Sequence, residues 1–341
     1  NYLENTDFTL ISELISQPLR ILITTHSNPD GDAIGSSLAL AAYLKKKNHS
    51  VQVMIPDPYP DFLAWMKGCE EILIFSSREN ECLQAIGQAQ LIIAADYNNL
   101  GRLNNAAPYV RQSKAVKVLI DHHLNPSDEF DHQISISRIS STSEIIYNFI
   151  EAMGDLNLLD KDIAECIYAG IITDTGSLSY ACNYVKTYLI MADLFRLGID
   201  GEHLHRLIYD TYSESRLRLL GYSISDQLVV LPEFHTAYIT LSKEDLERFD
   251  HQIGDTEGVV NYALSIKDIN LAALFMERDG IVKVSFRSKG SFAVNTLAAE
   301  YFNGGGHRNA AGANCDTTLE ETILKFRQLL PLYQPMLKSV Y

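Results

Sequence analysis

Residues 21–40 are ILITTHSNPDGDAIGSSLAL. The apolar run at the start predicts a short buried strand, and the apolar spacing that follows predicts a helix over 33–47. Between the two, the chain places His26, Asp30 and Asp32 in a turn with no basic residue nearby. A strand, a turn and a helix in this order are typical of an α/β sheet, and the acidic turn between them requires an explanation.

Strand-like apolar runs and helical patterns alternate through the first half of the chain. Further strands are predicted at 51–55, 91–95 and 116–120, and helices at 143–153 and 161–172. Short buried strands that alternate with helices indicate an open, mostly parallel sheet. We therefore expect an α/β fold for this part of the chain.

The pattern changes in the second half. A leucine-, arginine- and tyrosine-rich stretch over 184–221 has helical spacing and predicts a helical connector. After it, strand-like runs around Asp279-Gly280 predict a hairpin, and Ser242 and Asp245 have the spacing of a capping box. We expect a smaller α+β domain here. The predicted organisation is a catalytic domain at 1–183, the connector at 184–221 and a second domain at 222–341.

The bulk composition is typical of a soluble globular protein. The chain has 341 residues, of which 46% are hydrophobic and 21% charged. It shows no apolar run of the roughly 18 residues that cross a bilayer and no signal pattern at its start, so we expect a cytoplasmic protein without a membrane partner. Five scattered cysteines without a C-x-x-C pair argue against a disulfide framework and a cysteine zinc site.

The formal net charge of −15 limits the class of partner. A protein that binds long duplex nucleic acid usually has a basic face, and the sequence shows none. We therefore expect no long duplex as a partner. A phosphate ligand should be small, or bound cations should neutralise its charge.

Acidic and histidine residues follow the ends of several predicted elements. In an open α/β sheet the carboxyl ends of the strands converge on one crevice, so residues distant in sequence can meet there. The candidates are His26, Asp30 and Asp32 after the first strand, Asp96 after LIIAA, Asp121, His122 and His123 after VKVLI, and Asp174 in GIITDTG.

Each of these signals also has a simpler explanation. A single aspartate after a strand is usually a turn former or a helix cap, and Asp32 could cap the next helix. The simpler explanation would have to apply four separate times at matching positions. Carboxylates packed into one crevice without a cation would be forced toward protonation, at a cost of several kcal/mol. A divalent metal removes this conflict.

The ligand types indicate which metal is suitable. The set contains carboxylates and imidazoles but no thiolate, which favours Mn²⁺ or Mg²⁺ over structural zinc. There are enough groups for two ions, and two ions roughly 3.5–4 Å apart suit attack on phosphorus. We therefore expect two divalent metal ions, with Mn preferred and Mg possible.

Taken together, HSNPDGDAIGS, Asp96, DHH at 121–123 and TDTG at 173–176 resemble the DHH phosphoesterase superfamily. GGGHRNAAG at 304–312 is similar to the signature of the associated DHHA1 domain. The motifs occur in the family's order and cover nearly the whole chain. The resemblance implies an α/β DHH domain with a mostly parallel sheet, joined by a helical connector to a smaller α+β DHHA1 domain.

At the matching positions the resemblance implies two metal sites. One ion would be held by His26, Asp30 and Asp96. Asp96 would bridge to the second ion, whose other ligands would be Asp32, His122 and Asp174.

Two further residues of the DHH motif would take part in catalysis. Asp121 would orient its neighbouring histidine. His123 would face the phosphate as a hydrogen-bond donor or as the proton donor to the leaving group.

The second domain is expected to bind substrate. Three successive glycines let a backbone approach a phosphate closely. The residues expected to contact substrate are Gly304, Gly305, Gly306, His307 and Arg287, with Arg102 and 141–143 from the first domain. The glycines could also form a tight turn, and Arg287 could belong to an exposed ion pair; the sequence leaves both alternatives open.

The length and two-domain layout resemble the nanoRNase/pAp-phosphatase group. This implies an enzyme that hydrolyses very short oligoribonucleotides to mononucleotides, and also 3′-phosphoadenosine 5′-phosphate (pAp) to AMP, by attack of a metal-activated water. The partner would be a short single-stranded RNA or a small nucleotide, and the family is compatible with a homodimer.

Three other functions remain open. A phosphodiesterase for cyclic-di-AMP or pApA would use the same chemistry. A manganese pyrophosphatase would share the first domain but is not expected to carry GGGHRNAAG. A nucleotide-binding regulator without turnover would be expected to lack a metal ligand, and none of the predicted ligands is missing.

Overall fold

The computed structural model describes residues 8–339. The chain forms two compact units, Asn1–Thr211 and Tyr212–Tyr341, and each unit contains its own six-stranded sheet. The stretch 184–221 contributes two helices to the first unit and most of one helix to the second.

The first unit is built on a parallel sheet. Its strands are β1 Arg20–Thr24, β2 Ser50–Ile55, β3 Leu73–Ile74, β4 Leu91–Ala95, β5 Val116–Asp121 and β6 His132–Ser135. They pair in the order β3-β2-β1-β4-β5-β6, and every pair is parallel. The chain builds the sheet outward from β1 in one direction and then from β4 in the other, so the order reverses between these two strands.

Helices cover both faces of this sheet. They are α1 Thr9–Leu14, α2 Gly31–Lys46, α3 Glu79–Gln88, α4 Ala107–Gln112, α5 Thr142–Ala152, α6 Lys161–Asp174, α7 Val185–Arg196 and α8 Gly201–Tyr209. Successive strand residues point to opposite faces. Ile93 of β4 therefore packs in the core formed with α2, α5 and α6, whereas its neighbour Ile92 packs in the core formed with α3 and α4.

The second unit contains a mixed sheet. Its strands are β7 Leu228–Leu231, β8 Thr236–Leu241, β9 Leu271–Arg278, β10 Ile281–Ser288, β11 Gly305–His307 and β12 Ala310–Cys315. The order is β11-β12-β10-β9-β8-β7, and the pair of β8 with β9 is parallel whereas the other pairs are antiparallel. Its helices are α9 Glu214–Ser225, α10 Lys243–Arg248, α11 Val259–Leu264, α12 Val294–Phe302 and α13 Leu319–Lys338.

The predicted fold class is confirmed. The predicted strand at 91–95 coincides with β4, and the hairpin at Asp279-Gly280 joins β9 to β10. The predicted helix at 33–47 begins earlier, at Gly31, because the side chain of Asp30 caps its first turn. Ser242 and Asp245 form the predicted capping box of α10.

Some local elements differ from the sequence expectation. The pattern did not predict β3 or α3, because a two-residue strand and a mostly polar helix carry little periodic signal. The glycine-rich stretch predicted as a loop forms the edge strand β11, which pairs with β12. Glycine is compatible with extended backbone where another strand approaches closely.

Within residues 8–339, none of the helices has both the length and the apolar composition that spanning a bilayer requires.

Candidate metal centre

The predicted aspartates and histidines of the site lie at the carboxyl ends of the central strands of the parallel sheet. His26 follows β1, Asp96 follows β4, and Asp121 is the last residue of β5. Strands β1, β4 and β5 are neighbours and all parallel, so their carboxyl ends lie side by side. The strand order reverses between β1 and β4, which is the position where open α/β sheets bind ligands.

His26 and Asp30 form the first part of the site. The Nδ1 atom of His26 lies 2.8 Å from the carbonyl oxygen of Ser27. A carbonyl only accepts, so Nδ1 donates to it and Nε2 is the nitrogen that faces the carboxylates. Nε2 lies 3.5 Å from Asp96 Oδ2 and 3.9 Å from Asp30 Oδ2. An imidazole nitrogen and two carboxylate oxygens therefore converge.

Asp96 lies at the centre of the arrangement. Its side chain is only 2% exposed, and its backbone adopts a left-handed conformation with φ of 65°. The backbone N–H of Asp96 donates to the carbonyl of Ile120, which fixes the turn against β5. Its Oδ2 faces His26, whereas its Oδ1 lies 3.5 Å from Nε2 of His122. One carboxylate thus contacts histidines from two different strand ends.

Asp32 is fully buried and held by the N-terminal turn of α5. Its Oδ2 accepts the backbone N–H of Thr142 at 2.7 Å, and its Oδ1 accepts that of Ser143 at 2.9 Å. Two N–H donors and the positive end of the helix dipole favour a carboxylate at this position. Burial nevertheless raises the pKa of Asp32 above its usual value.

Close packing of α2 on α6 places Asp174 beside Asp32. A Cβ on Gly35 in α2 would overlap the carbonyl oxygen of Cys166 in α6. A Cβ on Gly170 in α6 would overlap the hydroxyl of Ser143 in α5 and the carboxylate of Asp32 in α2. Only glycine at these two positions allows α2 and α6 to approach this closely.

Asp174 is the last residue of α6, where the helix dipole disfavours an anion, and its Oδ2 lies 3.1 Å from Nε2 of His122. Burial and the charge of Asp32 raise the pKa of Asp174 well above its usual range.

Asp121, His123 and Arg102 form a hydrogen-bonded row beside these groups. Nδ1 of His123 donates to Asp121 Oδ1 at 2.6 Å, and Nε2 of His123 accepts an N–H of the Arg102 guanidinium at 3.2 Å, because a guanidinium only donates. Burial alone would raise the pKa of Asp121, but the hydrogen bonds from His123 and the electrostatic attraction of His123 and His122 together hold this pKa below its usual value. Asp121 thereby orients the ring of His123.

The arrangement fits divalent cations. Ligand atoms lie within 4.8 Å of one another in three groups: His26 with Asp30 and Asp96, Asp32 with His122 and Asp174, and Asp96 with His122 and His123. Burial and the charges of Asp32 and Asp30 raise the pKa of Asp96 well above its usual range. A cation would remove this repulsion, and hard oxygen and imidazole donors suit Mn²⁺ or Mg²⁺.

The predicted residues of the second unit lie on its sheet. Arg287 on β10 and His307 on β11 are both paired with Ala310, on the strand between them. Directly paired residues project to the same face, so Arg287 and His307 share one face, with a methyl group between them. A Cβ on Gly304 or Gly306 would overlap backbone atoms of β12. Because glycine has no Cβ, β11 can pair closely with β12.

Two contributions to the site were missed by sequence reasoning. Gly170 was not singled out, although a glycine inside a predicted helix is a recognised sign of close packing. For the stretch 141–143 a substrate contact stays a prediction; in the structure Thr142 and Ser143 hold Asp32, and Ser141 caps α5. The sequence pattern does not indicate that role.

Comparisons with known proteins identify the family of the chain. Residues 20–171 match the model of the DHH family, N-terminal domain, and residues 237–330 match the model of the DHHA1 domain. The two matched segments contain the first unit's sheet and most of the second unit's sheet.

Similar proteins are known from several bacteria. The bifunctional oligoribonuclease and PAP phosphatase NrnA of Bacillus subtilis is 30% identical over 296 residues, covering 86% of this chain and 88% of the relative. The cyclic-di-AMP phosphodiesterase PdeA of Listeria monocytogenes is 26% identical over 91% of this chain and 47% of its own length. The crystal structure of an exopolyphosphatase-related protein from Bacteroides fragilis superposes with a TM-score of 0.94 at 42% identity, covering 97% of both chains.

Proposed function

The chain belongs to the DHH family and carries a DHHA1 domain, and from this premise we propose that it is a metal-dependent phosphoesterase for very short substrates. It hydrolyses oligoribonucleotides of a few residues to mononucleotides and converts 3′-phosphoadenosine 5′-phosphate to AMP. The observation that carries the proposal is the convergence of aspartate and histidine side chains at the carboxyl ends of the parallel strands. The relative named as an oligoribonuclease and PAP phosphatase supports the choice of substrate.

We assign the metal ligands from the resemblance to the DHH family, and the proximity of the side chains supports the assignment. One divalent ion would be held by His26, Asp30 and Asp96. The second would be held by Asp32, Asp96, His122 and Asp174. Such ions, with Mn preferred, would lower the pKa of a water molecule and neutralise charge on phosphate oxygens.

The remaining groups orient the substrate and manage the proton. Asp121 fixes the ring of His123, and His123 is the hydrogen-bond donor or the proton donor to the leaving oxygen. Arg102, whose guanidinium lies 3.2 Å from the same ring, binds a phosphate oxygen. Water attacks the phosphorus directly, and no covalent enzyme intermediate is needed.

The second unit binds the other phosphate of the substrate. Arg287 and His307 present two nitrogen donors on one face of the sheet, and Gly304, Gly305 and Gly306 keep the neighbouring backbone free of side chains. A short substrate agrees with the net charge of −15, because recognition is confined to a few cationic groups.

A substrate panel tests the proposal. Purified protein with Mn²⁺ is assayed on RNAs of two to five nucleotides, pAp, pApA, cyclic-di-AMP and inorganic polyphosphate, each repeated with EDTA. We expect a dinucleotide RNA and pAp to exceed cyclic-di-AMP by at least about tenfold in kcat/KM, roughly 1.4 kcal/mol. The reverse order would instead support the cyclic-di-AMP phosphodiesterase alternative, for which the relative PdeA provides a precedent.

Turnover itself separates an enzyme from a regulator. Tight nucleotide binding without hydrolysis under any divalent ion would overturn the proposal and favour a nucleotide-binding regulator.

Substitution of Arg287 tests the role of the second unit. Arg287→Gln removes a charged hydrogen-bond donor worth about 1.5–3 kcal/mol, so we expect KM to rise roughly ten- to hundredfold with kcat changed only a few-fold. Arg278→Gln in β9 is the matched control, because Arg278 pairs with the exposed Asp279. Equal KM values for the two variants would argue against a substrate contact at Arg287.

A further inference from the structure

The first residue of α5 contacts two carboxylates of the candidate metal centre. The hydroxyl of Thr142 donates to Asp96 Oδ1 at 2.9 Å, and the backbone N–H of Thr142 donates to Asp32 Oδ2 at 2.7 Å. Thr142 itself is fully buried. Asp96 and Asp32 come from different turns of the chain, so one residue of a third segment links them.

This hydroxyl is not needed to form the helix. Ser141 is the N-cap of α5, and its hydroxyl accepts the backbone N–H of Glu144. The capping requirement of the first turn is therefore met one residue earlier. The hydroxyl of Thr142 donates to Asp96 instead.

The contact fixes how the two carboxylates are oriented. An ionised carboxylate oxygen has two lone-pair directions, and a donor that occupies one of them fixes the rotation of the group. Helix α5 donates to Oδ1 of Asp96 and to both oxygens of Asp32, which leaves each of these oxygens a second lone-pair direction for a histidine or a cation. Mutation of a residue that orients a metal ligand typically lowers metal affinity by about 10- to 100-fold.

We infer that Thr142 is a positioning residue that sets the cation affinity of this pocket by orienting Asp96 and Asp32 together. The inference rests on the proposed function, since it requires that the pocket binds a divalent ion. It goes further because it names Thr142 as the residue that links Asp96, a proposed ligand of both ions, to Asp32, a proposed ligand of the second. In this role Thr142 acts through the two carboxylates.

Metal binding by the substrate-free protein is the direct test. Free Mn²⁺ is followed by its EPR signal during titration of the wild type and of Thr142→Val, which is similar in size but has no hydroxyl. We expect Mn²⁺ affinity to fall about ten- to hundredfold in Thr142→Val. Thr142→Ser restores the donor, and its affinity should lie within about threefold of the wild type.

Thr187→Val is the matched control. The hydroxyl of Thr187 also donates to a buried carboxylate of α5, that of Glu144, at 2.7 Å. This variant is expected to lower Tm while leaving Mn²⁺ affinity unchanged. Should Thr142→Val fail to fold, Thr142→Ala measures the same loss of hydroxyl in a smaller side chain.

The outcomes separate the inference from the proposed function. A wild type that binds no Mn²⁺ would overturn the proposed function. Three results would each overturn the role of Thr142 while a metal-binding wild type remains. Thr142→Val could bind Mn²⁺ with wild-type affinity, Thr142→Ser could bind Mn²⁺ as weakly as Thr142→Val, or Thr187→Val could lose as much Mn²⁺ affinity as Thr142→Val.

Discussion

Asp32 and Glu144 are both fully buried carboxylates, and both contact the N-terminal turn of α5. Asp32 accepts two backbone N–H groups and lies beside His122 and Asp174. Glu144 accepts the hydroxyls of Ser140 and Thr187 and belongs to none of the ligand groups. Burial raises the pKa of both carboxyl groups.

The difference lies in the neighbours of each carboxyl and not in its hydrogen-bond donors. Both carboxyls accept hydrogen bonds from a backbone N–H and from a side-chain hydroxyl. Asp32 also lies within ligand distance of an imidazole and a second carboxylate, those of His122 and Asp174, whereas Glu144 is in none of the ligand groups. Burial alone therefore does not mark a metal ligand, and convergence with imidazoles and further carboxylates does.

The largest effect is expected from Asp96→Asn. Asp96 contacts histidines from two strand ends, so its loss should weaken both ion positions. We expect phosphoesterase activity to fall by at least about 10³-fold, roughly 4 kcal/mol, and Mn²⁺ to raise Tm far less than in the wild type. Activity assays and thermal unfolding with and without Mn²⁺ measure both effects.

Glu144→Gln serves as the control for Asp96→Asn. It changes a carboxylate at the same helix turn outside the ligand groups, so Mn²⁺ should still raise its Tm. A comparable loss of metal response in both variants would remove the distinction between the two sites.

An intermediate effect is expected from Gly35→Ala. The new Cβ would overlap the carbonyl of Cys166, which is backbone and cannot rotate away, so α2 and α6 must separate. Overpacking of this kind typically costs about 1–3 kcal/mol. Separation of these helices also moves Asp32 from Asp174, so the Tm increase produced by Mn²⁺ should shrink.

Gly87→Ala in α3 is the matched control, because nothing lies within 4 Å of its new Cβ. Its stability should be unchanged or higher by up to about 1 kcal/mol. If both alanine variants are equally stable and respond equally to Mn²⁺, close helix packing does not shape the site.

The smallest effect is a pH dependence centred on Glu144. Its pKa is raised in the folded state, so folded Glu144 keeps its proton at pH values where the unfolded chain has lost it. The contribution of Glu144 to the free energy of unfolding is therefore fully present below the ordinary pKa of 4.5. It is lost as the pH rises through the pKa that Glu144 has in the folded state.

Glu144→Gln removes this titration. The stability of the variant relative to the wild type should therefore increase with pH above about 4.5 and become constant once folded Glu144 has lost its proton. Denaturant unfolding of both proteins from pH 4 to pH 8 without metal measures the difference. A difference independent of pH would show that Glu144 has an ordinary pKa.

Much of the fold was predictable because its signals are local. Alternation of short apolar runs with helical spacing located β1, β4 and β5, and the residues that follow those strands include His26 and Asp96. The parallel arrangement follows from the same alternation. The edge strand β11 was not predicted, because three consecutive glycines are more often found in loops.

The sequence by itself determined which chemical groups the molecule carries and at which strand ends they lie, because residue type and periodicity are properties of neighbouring positions. Only the tertiary structure decided which carboxylate oxygen meets which donor. The contacts of Thr142 with Asp96 and Asp32, and of Gly35 with Cys166, join segments far apart in the chain. Such contacts depend on the order of the strands and on how closely the helices pack, and no local pattern encodes either.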